Sequence, residues 1–116
     1  MVVKNFIDNY QFGSIRVNNI NYTSDLIITP TGVISNWWRK EGHYFVLEDI
    51  PELNWMNVNS VIIGTGWSGL MQVHQSVLRY LEQKKIPFII KPSPVAVKEF
   101  NRYINNMKLG FFHLTC

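Results

Sequence analysis

The stretch Val-Ile-Ile-Gly-Thr-Gly-Trp-Ser-Gly, residues 61–69, decides how this chain folds. Its apolar start is typical of a strand buried on both faces of a parallel sheet. The glycines Gly64, Gly66 and Gly69 predict a tight turn, and we expect a helix over residues 69–84. Because a helix N-terminus gathers unpaired backbone N–H groups and the positive end of the helix dipole, this edge attracts phosphates and carboxylates.

The chain that follows predicts a second strand and a second helix. Residues 86–90 read as another buried strand, and Ser93-Pro94 as an N-cap followed by proline at the first helical position. Gly110 is placed to end that helix, before a last strand from Phe111 to Thr115. The apolar stripes predicted for the two helices are Leu70, Val73, Val77 and Leu81, then Ala96, Phe100, Tyr103 and Met107. Strands 61–63 and 86–90 should therefore lie parallel, with Gly66 and Ser93 at one edge.

The first half of the chain reads as a β meander. Alternating residues 15–17 and 20–22 flank Asn18-Asn19, a pair suited to the positive φ angles of a hairpin turn. A second reversal is expected at residues 30–32. Residues 43–46 suggest a strand and residues 49–53 a short helix. The fold class expected is α/β: a single domain over residues 1–116, with a mixed central sheet, helices packed on it and an additional N-terminal β meander layer.

Composition narrows the class of protein. The 116 residues are 47% hydrophobic and 14% aromatic, enough for a well-filled core. The single cysteine excludes an internal disulfide, no targeting signal or membrane-spanning run is recognised, and we expect a cytoplasmic protein that does not bind membranes. Residues 79–108 carry seven basic and two acidic residues, a net charge of +5, which forms either an ordinary solvated surface or a face for an acidic partner.

Gly64, Gly66 and Gly69 match the G-x-G-x-x-G spacing of dinucleotide-binding folds. The acidic residue that would hold a ribose is missing, since Lys91 and Ser93 occupy its region. We therefore prefer structural turn glycines, or a site for a smaller anion or carboxylate with Lys91 as the counter-charge. The candidate ligand-binding residues at this edge are Gly64, Thr65, Gly66, Lys91 and Ser93.

A second candidate lies at residues 38–43, where Arg39 and His43 follow tryptophan in a segment that mixes aromatic area with charge. Such a segment is found at binding pockets and at packed corners, and the corner is the preferred interpretation. No ligand spacing suggests a metal, and no cofactor is expected. Asp25 and Asp49 should lie at the surface or serve as caps. His74 should be a surface residue.

His113 and Cys116 invite the idea of a catalytic pair. In an extended segment these two positions point to opposite faces, whereas a dyad needs hydrogen-bond reach. Cys116 is expected to be a small terminal residue with an incidental thiol. No catalytic residue is assigned.

The chain resembles the adipogenesis-associated MTH domain-containing family, which includes the mitochondrial complex I assembly factor 3. The likeness spans nearly the whole chain: residues 25–28, Trp38-Arg39 with Gly42-His43, residues 62–66, Ser93-x-x-Ala96-x-x-x-Phe100-Asn101, and His113 to Cys116. The family more often has threonine where this chain has Ser93. The resemblance implies an α/β domain without an established activity, and its recurring residues are Trp38, Arg39, His43, Gly64, Gly66, Ser93, Asn101, His113 and Cys116.

These observations favour a non-enzymatic module that binds a small anion or assembles with a protein partner. The alternative is a small enzyme acting on an anionic substrate at the edge formed by residues 64–69 and 91–93. Nucleic-acid binding is disfavoured, because it needs exposed aromatic residues beside the basic ones. The aromatic surplus is compatible with a homodimer.

Overall fold

The computed structural model describes residues 5–103 and 107–116. Within these ranges the elements in chain order are β1 Ile7–Gln11, β2 Ser14–Val17, β3 Ile20–Tyr22, β4 Leu26–Thr29, β5 Gly32–Ile34, β6 Tyr44–Phe45, a 3-10 turn Leu47–Asp49, β7 Ser60–Thr65, β8 Gln72–Val73, α1 Gln75–Gln83, β9 Phe88–Lys91, α2 Ser93–Arg102 and β10 Lys108–His113. The expected α/β class is confirmed: a mixed central sheet with two helices and a separate N-terminal antiparallel sheet.

The N-terminal sheet is an antiparallel meander of β1, β2 and β3. Asn18 and Asn19 form the predicted turn with φ angles of 51° and 66°, a conformation that asparagine tolerates better than most residues. The sheet is held to α2 by Asn101, whose side-chain amide accepts from the Ile7 N–H at 3.0 Å and donates to the Ile7 carbonyl at 2.9 Å.

The central sheet has the order β5-β4-β10-β7-β9. β10, β7 and β9 are parallel to one another, whereas β4 runs antiparallel to β10 and β5 antiparallel to β4. The predicted parallel pairing of the two apolar strands is confirmed, with Val61 opposite Phe88 and Ile63 opposite Ile90. The carboxyl ends of β7, β9 and β10 and the residue before β4 therefore lie together, and we call this side of the sheet the carboxyl edge.

The two helices cover opposite faces of the central sheet. Val77 and Leu81 of α1 pack in one core cluster, and Ala96 and Phe100 of α2 pack in the other. The topology explains this, since the chain crosses from β7 outward to β9 and then returns past β7 to β10. Right-handed crossovers in opposite directions place their helices on opposite faces. The basic residues of segment 79–108 consequently do not form one face.

The first helix begins at Gln75 rather than at residue 69. Gln72 and Val73, which were predicted as helix, form β8 and pair in parallel with β6, the strand predicted near residues 43–46. His74 is exposed as expected and caps α1 by accepting from the Ser76 N–H at 3.0 Å. Val77 and Leu81 are buried as predicted, whereas Leu70 is exposed, because the glycine turn does not lead directly into the helix.

The second helix ends at Arg102, and Gly110 lies inside β10. A Cβ on Gly110 would lie 2.5 Å from a Phe112 ring carbon, so glycine is needed here for close packing and not as a helix stop. Tyr103 and Met107 are outside the buried stripe, at 37% and 40% exposure, while residues 104–106 lie outside the described ranges. The short helix predicted at 49–53 is also wrong, because the 3-10 turn ends at Asp49.

Candidate functional site

Asp25 lies at the carboxyl edge because it directly precedes β4, and β4 is antiparallel to β10. This arrangement brings its carboxylate to the end of β10, where Oδ1 accepts from the Leu114 N–H at 2.8 Å. Its side chain is 16% exposed. The expectation that Asp25 is a surface or capping residue is therefore wrong. Asp49, in contrast, does act as a cap, since its Oδ2 accepts from the Val46 N–H at 2.9 Å.

Arg39 is buried, with its side chain only 3% exposed. Its Nη2 donates to Asp25 Oδ2 and to the Gly42 carbonyl, both at 2.7 Å. Its Nε donates to the same carbonyl at 3.2 Å, and the guanidinium carbon lies 4.6 Å from the ring centroid of Trp37. Within the segment of residues 38–43, the Arg39 side chain is therefore buried, while Trp38 remains 77% exposed.

His113 ends β10 and completes a three-residue cluster, which we call the Asp–Arg–His cluster: Asp25, Arg39 and His113. The Nδ1 atom of His113 lies 2.7 Å from Asp25 Oδ2 and 3.0 Å from Arg39 Nη2. Both hydrogens of Nη2 are already donated, one to Asp25 and one to Gly42. Nδ1 therefore carries the proton and donates it to Asp25, because a guanidinium nitrogen cannot accept.

The electrostatics of the cluster keep Asp25 ionised. Burial by itself would raise the pKa of Asp25, but the hydrogen bonds from His113, the Leu114 N–H and Arg39 outweigh it and hold that pKa below its usual range. The carboxylate in turn neutralises the buried guanidinium. Such mutual compensation is what makes a buried guanidinium beside a partly buried carboxylate tolerable.

Two nitrogen atoms of this cluster are buried without a hydrogen-bond partner in the described part of the chain: Arg39 Nη1 and His113 Nε2. The third such side-chain atom, Ser60 Oγ, is at the start of β7, the opposite end of the sheet. Buried polar atoms normally find partners, because an unmade hydrogen bond costs about 1–3 kcal/mol. Nη1 offers N–H donors, so the cluster is chemically suited to an oxyanion.

His43 adjoins the cluster from the solvent side. It is exposed, and its ring lies at 75° to the ring of His113 with centroids 5.9 Å apart. His43 belongs to a tight turn in which the Tyr44 N–H donates to the Glu41 carbonyl at 3.1 Å. The same turn borders an open cavity of about 690 Å³, which is lined by Glu41, Gly42, His43, Tyr44, Leu70 and Gln72.

A second cavity, of about 370 Å³, lies beside the β4–β5 turn. Its lining comes from residues 29–34 together with Leu53, Asn54, Asn57 and Leu109, and it includes no charged side chain. An anion would find no counter-charge there. The cavity bordered by Gly42 and His43 has the ionisable side chains of Glu41 and His43 in its lining.

The predicted glycine edge is also at the carboxyl edge, and Gly66 and Ser93 meet there as expected. The Gly66 N–H donates to Ser93 Oγ at 2.9 Å, and Ser93 Oγ donates to the His113 carbonyl at 2.6 Å. A Cβ on Gly64 would lie 2.7 Å from Ser93 Oγ. Gly64, Gly66 and Ser93, which we call the glycine half of the edge, are therefore packed against one another and against β10.

The C-terminal residues fill the remaining space at the glycine half. The Trp67 N–H donates to the Thr115 carbonyl at 2.6 Å, and the Leu70 N–H donates to the Cys116 carbonyl at 3.0 Å. Gly66 has a φ of 103°, and a Cβ there would lie 2.5 Å from the Cys116 carbonyl carbon. Backbone N–H groups that the sequence offered to an anion are thus used by the chain itself.

Two other predicted residues of the glycine edge lie close by. Thr65 is buried and its hydroxyl donates to the Lys91 carbonyl at 3.1 Å. The Lys91 side chain is exposed at the end of β9. His113 is buried with its Nδ1 beside Asp25, whereas Cys116 is exposed.

Metal binding has no support from the described residues, where no group of three or more His, Cys, Asp or Glu side chains is arranged around a common point. No helix in the described ranges is long and apolar enough to cross a membrane. Asp25 and His113 were not predicted as site residues, although both lie in segments that carry the family resemblance, and both lie at strand ends of a common edge.

Comparison with known proteins places the chain in a family. Residues 7–108 match the family described as protein of unknown function (DUF498/DUF598). The chain is similar to the solved structure of conserved hypothetical protein PH1505 from Pyrococcus horikoshii, at 19% identity and a TM-score of 0.75, covering 95% of this chain and 98% of that one. It is likewise similar to an outer membrane protein from Bartonella henselae, at 20% identity and a TM-score of 0.81, covering 97% of each chain.

A further similar structure is a Bordetella pertussis protein described as a Mth938-like domain. It is 14% identical with a TM-score of 0.63, over 95% of this chain and 85% of that one. At these identities the structural likenesses establish the fold alone. The family match extends over most of the chain, and the protein therefore belongs to the DUF498/DUF598 family of unknown function, with a Mth938-like fold.

Proposed function

We propose that this protein is a non-enzymatic binding module that recognises a small oxyanion at the Asp–Arg–His cluster. The observation that carries the proposal is the pair of buried, unpartnered nitrogen atoms, Arg39 Nη1 and His113 Nε2, within the described part of the chain. A guanidinium held in place by a carboxylate and a backbone carbonyl is preorganised, so little side-chain entropy is lost when it binds an anion.

We propose that a small anion reaches these atoms past His43. The turn that contains Gly42 and His43 borders the open cavity, while Gly42 accepts from Arg39 and the His43 ring contacts the His113 ring. In this proposal the exposed His43 side chain turns outward to admit the anion from the cavity. Arg39 and His43, both predicted from the sequence, thus have distinct roles in binding and access.

We further propose that the chain is related to the adipogenesis-associated MTH domain-containing family and that it acts, like an assembly factor, by binding a protein partner. Exposed apolar side chains around the C-terminal segment support a protein partner or a second copy of the chain: Phe12 is 55% exposed, Trp67 47% and Leu70 56%. We propose that the protein binds this partner in the cytoplasm and that it carries the anion as a ligand when it does so.

A thermal-shift series with phosphate, sulfate and citrate tests the proposal. We expect at least one anion to raise the melting temperature of the wild type. Arg39→Gln should lose this response. Lys91→Ala is the matched control, because Lys91 is an exposed cation at the same edge and should leave the response intact. No response to any anion, or loss of the response in Lys91→Ala alone, would contradict the proposed site.

One observation favours a second candidate, a small enzyme acting on an anionic substrate. Asp25 holds Nδ1 of His113 in a hydrogen bond and leaves Nε2 as the unpartnered ring nitrogen, an arrangement that suits acid–base chemistry. Incubation with a phosphomonoester followed by ³¹P NMR separates the candidates. Release of phosphate that is lost in His113→Gln would favour the enzyme, and unchanged spectra favour the binding module.

A further inference from the structure

The edge strand β5 lies outside the site described so far. It is the last strand on its side of the central sheet, so β4 is its only strand neighbour among the described residues. Beyond that pairing, Val33 and Ile34 make no further hydrogen bond within the described part of the chain. An edge strand directs alternate N–H and C=O groups away from its sheet, where an extended chain can pair with them.

Two cavities adjoin β5 and share Ile34 in their lining. One is the cavity of about 370 Å³ beside the β4–β5 turn, and the other, of about 280 Å³, is bordered by Trp37 and Trp38. Gly32 adds open space to the first cavity, since a Cβ there would meet nothing within 4 Å. The two cavities meet at Ile34, and together we call them the β5 groove.

The opposite wall of the β5 groove comes from residues 48–57, and its charge is negative. Glu48 and Asp49 border the smaller cavity, and neither carboxylate forms an ion pair within the described residues. The described residues that line the two cavities include no lysine or arginine. The sequence has four acidic residues and no lysine or arginine between positions 41 and 78. The groove is therefore complementary to a partner that is both apolar and basic.

We infer that the β5 groove docks an extended, basic and apolar segment of a protein partner, which adds to the five-stranded central sheet beside β5. The backbone of that segment pairs with β5, and its apolar side chains contact Ile34 and Trp38, which are 38% and 77% exposed. Its basic side chains lie near Glu48. The lining of the groove includes no residue of the Asp–Arg–His cluster, so this docking surface is separate from the proposed anion site.

Titration of the ¹⁵N-labelled intact chain with two acetylated and amidated hexapeptides tests the inference. One peptide alternates valine with lysine and the other alternates valine with glutamate, so the two differ in charge but share a strand-forming pattern. We expect the valine-lysine peptide to shift the Val33 and Ile34 amides and the Trp38 indole saturably. The valine-glutamate peptide should bind roughly two- to fivefold more weakly at low salt, the ratio that exposed charge pairs produce.

Three results of this titration would overturn the inference. Absence of saturable shifts at β5 with the valine-lysine peptide would remove the docking surface. Equal or tighter binding of the valine-glutamate peptide would remove the charge complementarity. Amides of β5 that shift with protein concentration alone would make a second copy of the chain the occupant. None of these results changes the anion response expected in the thermal-shift series.

A substitution on the shared wall tests the surface itself. Ile34→Lys places an ammonium group where the two cavities meet and should abolish binding of the valine-lysine peptide. Ile20→Lys is the matched control, because Ile20 is an exposed isoleucine of β3, an edge strand of the N-terminal sheet. Unchanged amide shifts of β7 and β9 report that each variant is folded. Binding by Ile34→Lys at the wild-type affinity, or an equal loss in the control, contradicts the inference.

A second pair of variants tests the charge of the groove. Glu48→Gln removes one exposed carboxylate from the wall and should lower the affinity for the valine-lysine peptide by about twofold. Glu82→Gln, at an exposed glutamate of α1, is the control and should leave that affinity unchanged. A preference for the valine-lysine peptide that is the same in Glu48→Gln and in the wild type contradicts the inference.

Discussion

The carboxyl edge of the central sheet has two halves that use the same strand ends differently. In the glycine half, the Gly66 N–H, the Ser93 hydroxyl and the C-terminal carbonyls are used in hydrogen bonds within the chain. In the Asp–Arg–His cluster, each side chain has an internal partner, yet Arg39 Nη1 and His113 Nε2 remain unpaired within the described residues. The topology of the sheet makes the whole carboxyl edge suitable for anions. Hydrogen-bond donors remain available to a ligand only in the half where the chain does not use them itself.

The largest expected effect is in the cluster. Arg39→Met should lower the free energy of unfolding by about 3–5 kcal/mol, because it leaves the partly buried Asp25 carboxylate without its countercharge. Urea unfolding measures this loss, with Arg79→Met, an exposed arginine of α1, as the control. A loss no larger than that of the control would mean that the ion pair does not hold this half together.

In the glycine half, Gly66→Ala should cost about 2–4 kcal/mol, since its positive φ and the contact with the Cys116 backbone both disfavour a Cβ. Gly42→Ala is the matched control, because a Cβ at Gly42 meets nothing within 4 Å. The difference in melting temperature between these variants checks the expectation. Equal stability would indicate that the C-terminal segment is not seated against Gly66.

Removing the hydroxyl that links the two halves should have a smaller effect. Ser93→Ala leaves the Gly66 N–H without its acceptor and the His113 carbonyl without its donor, and should cost about 1–3 kcal/mol. Chemical denaturation beside the exposed control Ser68→Ala measures it. If anion binding also weakens, the two halves are coupled; if stability is unchanged, the link through Ser93 is dispensable.

The smallest expected effect is a pH dependence. The folded-state pKa of Asp25 is depressed, so its contribution to stability is present above its unfolded pKa of about 4 and is lost as the pH falls through the folded value. The gap in unfolding free energy between wild type and Asp25→Asn should therefore narrow as the pH falls from about 5 towards about 3. The exposed carboxylate variant Glu52→Gln serves as reference. A gap in unfolding free energy that is constant with pH would show that the ionisation of Asp25 does not stabilise the folded protein.

Local sequence patterns predicted the parts of the fold that depend on local chemistry. The apolar runs that became β7 and β9 and the Asn18-Asn19 turn are properties of neighbouring residues, and they were placed correctly. The start of α1 was misplaced because an apolar spacing of three and four residues continues through Val73, which pairs with Phe45 instead. Gly110 was misread because its close neighbour is the Phe112 ring, a contact made in the folded strand.

The site was harder to predict than the fold. Arg39 and His43 were identified from a cluster of adjacent residues, but Asp25 and His113 are 88 positions apart in the chain. They meet because β4 and β10 are antiparallel neighbours, a pairing that no local spacing encodes. The glycine motif, by contrast, was conspicuous in the sequence, but its residues pack against other parts of the chain.

The most direct test of the central claim is a phosphate titration followed by NMR of the wild-type side chains. We expect the resonances of the Arg39 guanidinium and the His113 ring nitrogens to shift together and saturably, while those of the backbone amides of Gly64 and Gly66 and of the Lys91 side chain change little. Shifts centred on the glycine half, or no saturable shift at Arg39 and His113, would contradict it.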